Sequence, residues 1–182
     1  MKVSRQWLNN FLDGKLPDAA AVADALTFHA FEIDGIDPVK RSDGHGASDE
    51  VLDVKVTPNR GHDCLCHRGI AKELSAILKL PLAHDPFAAA PDLSKKTHEV
   101  TVSVQKPDLC ARYIAGYVTG VKVGPSPEWL RQSLEAVGQR SINNVVDATN
   151  YVSLTSGNPC TLSMRTSSGV LSSACAWPGR AK

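Results

Sequence analysis

Between Val51 and Leu80 the hydrophobic period of the chain changes once, and that change constrains the fold more than any other feature of the sequence. Leu52, Val54 and Val56 alternate with Asp53, Lys55 and Thr57. A period of two places the apolar set on one side of a half-buried strand. Pro58-Asn59-Arg60-Gly61 follows as a turn, each residue type suited to tight backbone geometry. Beyond it, Leu65, Ile70, Leu74, Ile77 and Leu78 predict a helix over 63–79, with Asp63 as its N-cap and Pro81 as its stop. A strand that turns directly into an amphipathic helix buries its apolar side most economically under that helix.

The flanking segments extend this module. Ser4 is placed to cap a short helix whose apolar side is Trp7, Leu8, Phe11 and Leu12, ended by Gly14 and Pro17. Asp18 suits the N-cap of a second helix, with Val22, Ala25 and Leu26 facing inward. Phe31, Ile33 and Ile36 predict a strand, and Pro38, Gly44 and Gly46 make 37–50 a loop. Three prolines and a run of three alanines mark a linker before Val100, Val102 and Val104, which alternate. Residues 112–123 are rich in β-branched and aromatic types and predict another strand. Ser126 as cap and Pro127 at the first helical position start a helix that buries Trp129, Leu130 and Leu134, with Gly138 beyond its end. Ser141 is placed to cap a last helix through Val145, Val146, Ala148, Thr149 and Val152, closed near Gly157. The fold class is α+β. The expected organisation is a module over 1–82, a linker over 83–98, the start of a second α+β domain over 99–159, and a tail over 160–182.

Several function classes lose support at this point. A formal net charge of +1 is no electrostatic footprint for nucleic acid. No apolar run approaches the ~18 residues of a membrane span, and Met1 to Phe11 lacks a signal-peptide core, so the expected compartment is the cytoplasm. The five cysteines, Cys64, Cys66, Cys110, Cys160 and Cys175, are odd in number and without framework spacing, as for free thiols in a reducing compartment. His62, Cys64, Cys66 and His67 crowd four potential zinc ligands into six residues, but tetrahedral sites pair one close doublet with another distant in sequence. A helix start with incidental thiols explains them better. No metal site, and no Gly-rich phosphate loop, is expected in this chain.

Three blocks carry a resemblance. The run VLDVKVTPNRGHDCLCHRGIAKELSAILKL (51–80), the opening with Trp7-Leu8, Phe31-Glu32 and Gly35-Ile36, and the run RSINNVVDATNYV (140–152) continued by Gly157-Asn158-Pro159 stand in the order found in the β subunit of bacterial phenylalanyl-tRNA synthetase. The chain resembles that family over roughly residues 1–159. It departs in two places. Many family members insert an oligonucleotide-binding barrel before the Val51 strand, where this chain has only the loop 37–50, too short for about five strands. After Gly-Asn-Pro the family continues into His-Ala-Phe-Asp, where this chain reads Cys160-Thr161-Leu162-Ser163-Met164. A one-base shift of suitable codons over 160–168 restores Leu-His-Ala-Phe-Asp-Ala-Asp-Lys-Leu. Residues 160–182 also hold five serines and none of the 19 acidic residues. The expectation is a frameshifted tail, the alternative a divergent one.

The resemblance implies a fragment of a ligase that charges tRNA-Phe with phenylalanine, using ATP and Mg²⁺ in a tetramer of two α and two β subunits. The implied partners are the α subunit, tRNA-Phe and a second β subunit. The aminoacylation centre belongs to α, so no catalytic or cofactor-binding residue is expected in this chain. Asn59, Arg60 and Arg68 are candidate tRNA or subunit contacts, and Arg60 equally suits a turn-stabilising pair with Asp63. Arg140, Asn144, Asp147 and Asn150 are a candidate remnant of the family's B3/B4 editing motif, or else internal caps and hydrogen bonds. A stand-alone RNA-binding module and a structural interaction domain are the other classes left open. A cationic patch of Arg60, Arg68, Lys72 and Lys79 would favour the first.

Overall fold

A computed structural model describes residues 1–40, 48–89, 99–111, 113–158, 160 and 173–174. In chain order they form β1 (Lys2–Ser4), α1 (Arg5–Asn9), α2 (Ala19–His29), β2 (Ile33–Lys40), β3 (Ser48–Val54), α3 (Gly61–Cys64), α4 (His67–Leu78), β4 (Val102–Ser103), α5 (Glu128–Ala136), α6 (Asn144–Ser156) and β5 (Ser173–Ala174). The class is α+β. Two compact bodies divide the chain, one of residues 1–89 with 123–162 and one of residues 90–122 with 163–182. Packing thus joins α5 and α6 to the N-terminal module, across the boundaries that composition suggests at 82 and 98.

In the first body β3 is the central strand of an antiparallel sheet ordered β1-β3-β2. Val3 pairs with Leu52 and Ile36 with Leu52 from the other side, and a bulge lies between Ile33 and Gly35. The central position explains why Val51, Leu52 and Val54 are all buried, where alternation alone suggested a half-buried strand. The predicted loop 37–50 is also corrected: strand pairing continues to Lys40 and resumes at Ser48. Pro38 is tolerated because β2 is an edge strand, where a missing N–H interrupts no second ladder.

The helix predicted over 63–79 is two helices. Leu65 leaves helical geometry (ψ 39°), and Cys66, not Asp63, caps α4, its Sγ accepting from the Gly69 N–H at 3.3 Å. Gly69 makes the break possible: a Cβ there would lie 1.9 Å from the Asp63 carbonyl oxygen. Helix α4 ends at Leu78 with Lys79 in the left-handed region (φ 56°), before Pro81. Two other caps move as well. Asn143 caps α6, accepting from the Val145 and Val146 N–H groups, and Pro127 precedes α5 without a side-chain cap. Ser141 and Ser126, predicted for those positions, donate elsewhere. Gly138 (φ 82°) and Gly157 (φ 77°) stand where sequence placed them.

The core joins Val3, Trp7, Leu8, Phe11, Leu26, Phe31, Leu52, Val54, Ile70 and Leu74 with Leu130, Leu134 and Val137 of the α5 segment. Trp129 is 55% exposed rather than buried, its ring edge-on to Tyr151. Chain beyond α4 is fastened to the segment that follows α1 by Ala83 N–H to Phe11 C=O (2.9 Å) and Asp13 N–H to Pro81 C=O (2.9 Å).

In the second body the described ladder is β4 parallel to β5, pairing Val102 with Ser173 and Ser103 with Ala174. Residues 113–122, expected as a strand, have no regular structure, and Ile114, Tyr117, Val118 and Val121 are exposed. High β-propensity states only that a residue suits a paired, half-buried surface, and among the described residues no strand pairs with these. The expected tail 160–182 lies outside the described residues except for residue 160 and the pair 173–174.

Gly69→Ala tests the α3–α4 junction. Its new methyl meets backbone, which cannot swing aside, so the substitution is expected to destabilise the first body by about 2–4 kcal/mol in thermal or urea unfolding. A change within about 0.5 kcal/mol would show that the two helices are not held this tightly.

Candidate functional site

The turn after β3 positions Arg60. Its guanidinium donates to Asp63 (2.7 Å), Glu73 (2.7 Å) and the Cys64 Sγ (3.1 Å), and lies 5.6 Å from the Phe31 ring centroid. Hydrogen bonding to Arg60 holds the Asp63 carboxyl down at about 2, and the same contacts raise the arginine pKa. Asp63, Cys64 and Glu73 bring ligand atoms within 4.8 Å of one another, but Arg60 bonds all three, so the group is an ion-pair cluster. Burial pushes the Cys64 thiol up to about 12, leaving no thiolate at neutral pH. Arg68 is committed too. It forks onto Asp85 with two 2.6 Å bonds, and its guanidinium carbon lies 4.8 Å from the Phe87 ring centroid. Asn59 is exposed in the 3₁₀ turn Pro58–Arg60.

The motif 140–152 builds the junction between α5 and α6. Asp147 is fully buried, its Oδ2 accepting from the Ser126 and Ser141 hydroxyls and its Oδ1 from the Ile142 N–H (2.9 Å). Burial would raise its pKa, but these hydrogen bonds outweigh burial and hold it below the ordinary carboxylate value of 3.8. A depressed folded pKa means the clasp is intact at neutral pH and is lost only as the pH falls below 3.8. Asn144 bonds Gly124 twice, its Oδ1 accepting (3.1 Å) and its N–H donating (2.9 Å). Arg140 is exposed and Asn150 half-buried, and neither joins the clasp.

Sequence reasoning missed His67. It is fully buried at the start of α4, with Nε2 accepting from the Ser4 N–H (3.2 Å) and Nδ1 facing the Leu154 C=O (3.0 Å). A backbone N–H on Nε2 fixes the proton on Nδ1. Its ring stacks on Trp7 at 4.0 Å, and Trp7 stacks on Tyr151 at 4.4 Å. A signal was present: His67, Ile70, Ala71 and Leu74 share one helical stripe. Of the four residues weighed and set aside as zinc ligands, His62 is exposed and both His67 nitrogens are engaged.

Residues 109–162, which contain this junction, match a family model described as the B3/4 domain. The phenylalanine–tRNA ligase β subunit of Rhodopirellula baltica is 42% identical over 164 residues, 87% of this chain and 22% of that protein. That of Geobacter sulfurreducens is 44% identical over 117 residues (64% and 14%), and that of Anaeromyxobacter dehalogenans 50% over 118 residues (61% and 14%). The chain is a homologue of the bacterial phenylalanine–tRNA ligase β subunit. It spans about a fifth or less of the length of these relatives. Its homology reaches both the Arg60 turn and the Asp147 junction in the Rhodopirellula alignment, whose 164 residues leave little of the chain out.

Two substitutions at Asp147 separate hydrogen bonding from shape. Asp147→Ala is expected to cost about 2–4 kcal/mol, because buried hydroxyl and amide donors lose their acceptor. Asp147→Asn keeps Oδ1 for Ile142 and offers an amide to the rotatable hydroxyls, so its cost should be about 1 kcal/mol. Urea unfolding followed by circular dichroism measures both; equal losses would refute the hydrogen-bonded clasp.

Proposed function

We propose that this chain carries the N-terminal module and the opening of the B3/4 editing domain of a cytoplasmic phenylalanine–tRNA ligase β subunit. The supporting observation is the 42% identity that runs over 87% of the chain. In that reading the assembled enzyme joins phenylalanine to tRNA-Phe with ATP and Mg²⁺, at a centre on the α subunit. This chain contributes subunit interface and tRNA-facing surface beside a second β subunit, and no catalytic group of its own. No described helix is long and apolar enough to cross a membrane.

Within the candidate residues the geometry sorts two kinds of work. Asn144 and Asp147 hold the α5–α6 junction together, so they would position an editing domain rather than touch its substrate. Arg140 and Asn150 remain as the motif members that would face an RNA or an aminoacyl end. Asn59 in the exposed turn is the corresponding candidate on the N-terminal module. The stand-alone RNA-binding reading loses its main support, because Arg60 and Arg68 are each neutralised by carboxylates of this chain.

The test is paired. The purified chain alone should give no phenylalanine-dependent ATP–pyrophosphate exchange, and it should be retained by an immobilised bacterial α subunit of the same enzyme. Exchange by the chain alone, or failure to bind α under conditions where a full-length β subunit binds, would overturn the proposal.

A further inference from the structure

The first half of α4 and the end of α6 line an open groove of about 390 Å³, whose walls include Arg68, Lys72, Phe87, Ser156 and Asn158. Its volume falls in the range of sites for one small ligand, about 300–1,000 Å³. Phe87 is 50% exposed, yet it is braced twice. Its N–H donates to the Asp85 Oδ1 (3.0 Å), and the Arg68 guanidinium, itself forked onto Asp85, lies over its ring at 4.8 Å. A ring fixed in this way loses little rotamer freedom when a flat group settles on it. Lys72 and Asn158 stand on the same walls, both exposed, and neither side chain hydrogen-bonds a described residue. We propose that the groove binds one unpaired nucleotide, with its base stacked on Phe87, the edge of the base on the Asn158 carboxamide and a phosphate on Lys72.

The charges around the groove decide how it binds. Arg60, Arg68 and Lys72 are balanced by Asp63, Glu73 and Asp85, so no excess positive field gathers a long phosphate backbone. What the groove offers is a rigid aromatic surface, a carboxamide that both donates and accepts, and one ammonium. A base matches all three, because it carries a π-face, donors and acceptors on its edge, and an anion at a fixed reach. An aromatic side chain of a peptide would use the ring and leave the carboxamide and the ammonium unanswered. A base inside a duplex has both faces covered and its pairing edge occupied, so only an unpaired nucleotide fits. The nucleotide belongs either to a single-stranded stretch of RNA or to a free mononucleotide. Binding of this kind depends on stacking more than on charge, which separates it from the cationic patch that the sequence suggested. It also stands apart from the ligase reading: the chain can be retained by an α subunit with this groove empty, and the groove can bind where that retention fails.

Fluorescence anisotropy on the full chain tests this with a labelled single-stranded oligoadenylate of about eight nucleotides, a blunt-ended RNA duplex, and unlabelled AMP as competitor. The single strand should bind saturably with a Kd of about 1 mM or lower, AMP should displace it, and the duplex should not bind. A strand that binds more tightly than AMP assigns the groove to RNA, and equal affinities assign it to a free nucleotide. Phe87→Leu should weaken binding by about tenfold, while Phe87→Tyr, which keeps the ring, should stay within about twofold of the native chain. Lys72→Met should reduce the salt dependence by about one phosphate contact. No saturable binding, equal binding of the duplex, or unchanged binding in Phe87→Leu would each overturn the proposal. Should Phe87→Leu fail to fold, the Phe87 ring protons of the native chain decide: an upfield shift that saturates with AMP supports the stack, and resonances that stay in place refute it.

Discussion

One imidazole ring sits where three parts of the first body meet. The amide that opens α1, the indole of Trp7 and the C-terminal turn of α6 all converge on His67. Without that ring, Ser4 would hold a buried N–H in search of a partner, the half-buried Leu154 C=O would lose its contact, and the Trp7–Tyr151 stack would have nothing behind it. A hydrophobic residue of similar size would fill the space but answer neither hydrogen bond. The position therefore demands a side chain that is flat, donates from one edge and accepts from the other, and remains neutral when dry. The break between α3 and α4, made possible by Gly69, delivers the ring to that place at the first residue of α4.

The charged residues follow a related logic. Arg60, Arg68, Asp49 and Asp147 would each attract attention as functional candidates on charge alone. Each is instead occupied by partners from its own chain: carboxylates for the arginines, hydroxyls and amides for the aspartates. A guanidinium forked onto a carboxylate has little left with which to neutralise a phosphate. In this body charge mostly fixes the backbone where one element gives way to the next, at β1–α1, β3–α3 and α5–α6.

Homology and packing cut the chain differently. The B3/4 match begins at residue 109 and includes α5 and α6. Those two helices lie in one compact body with residues 1–89, through Leu130, Leu134, Val137 and the Tyr151 stack. A boundary drawn by family resemblance marks where a recurring sequence begins. A boundary drawn by contacts marks what shares a core, and the two need not coincide when successive domains of a long subunit pack closely.

The sequence by itself determined the elements whose cause is local. Ser4 and Asp18 as caps, Gly138 and Gly157 as helix ends, the β3 strand and the apolar stripe of α2 follow from propensity, period and backbone sterics and are present; of the stripe expected for α1, Phe11 and Leu12 are buried beyond the helix end, and of that expected for α4, Leu65 is exposed ahead of the helix. The Arg60–Asp63 pair was legible for the same reason, since only three positions separate its members. The family was legible because motif order is itself a property of sequence. Only the tertiary structure decided the rest. Strand pairing overrode turn composition at Pro38, because an edge strand does not need that N–H. Ser126 and Ser141 gave up capping for the buried Asp147 carboxylate, 21 and 6 positions away, and Trp129 faced outward while Tyr151 covered Trp7. His67 became a junction because Ser4 and Leu154 arrived on either side of it. No local rule reports such a meeting, since its energy resides in groups 63 and 87 positions apart that are neighbours only after the chain has folded.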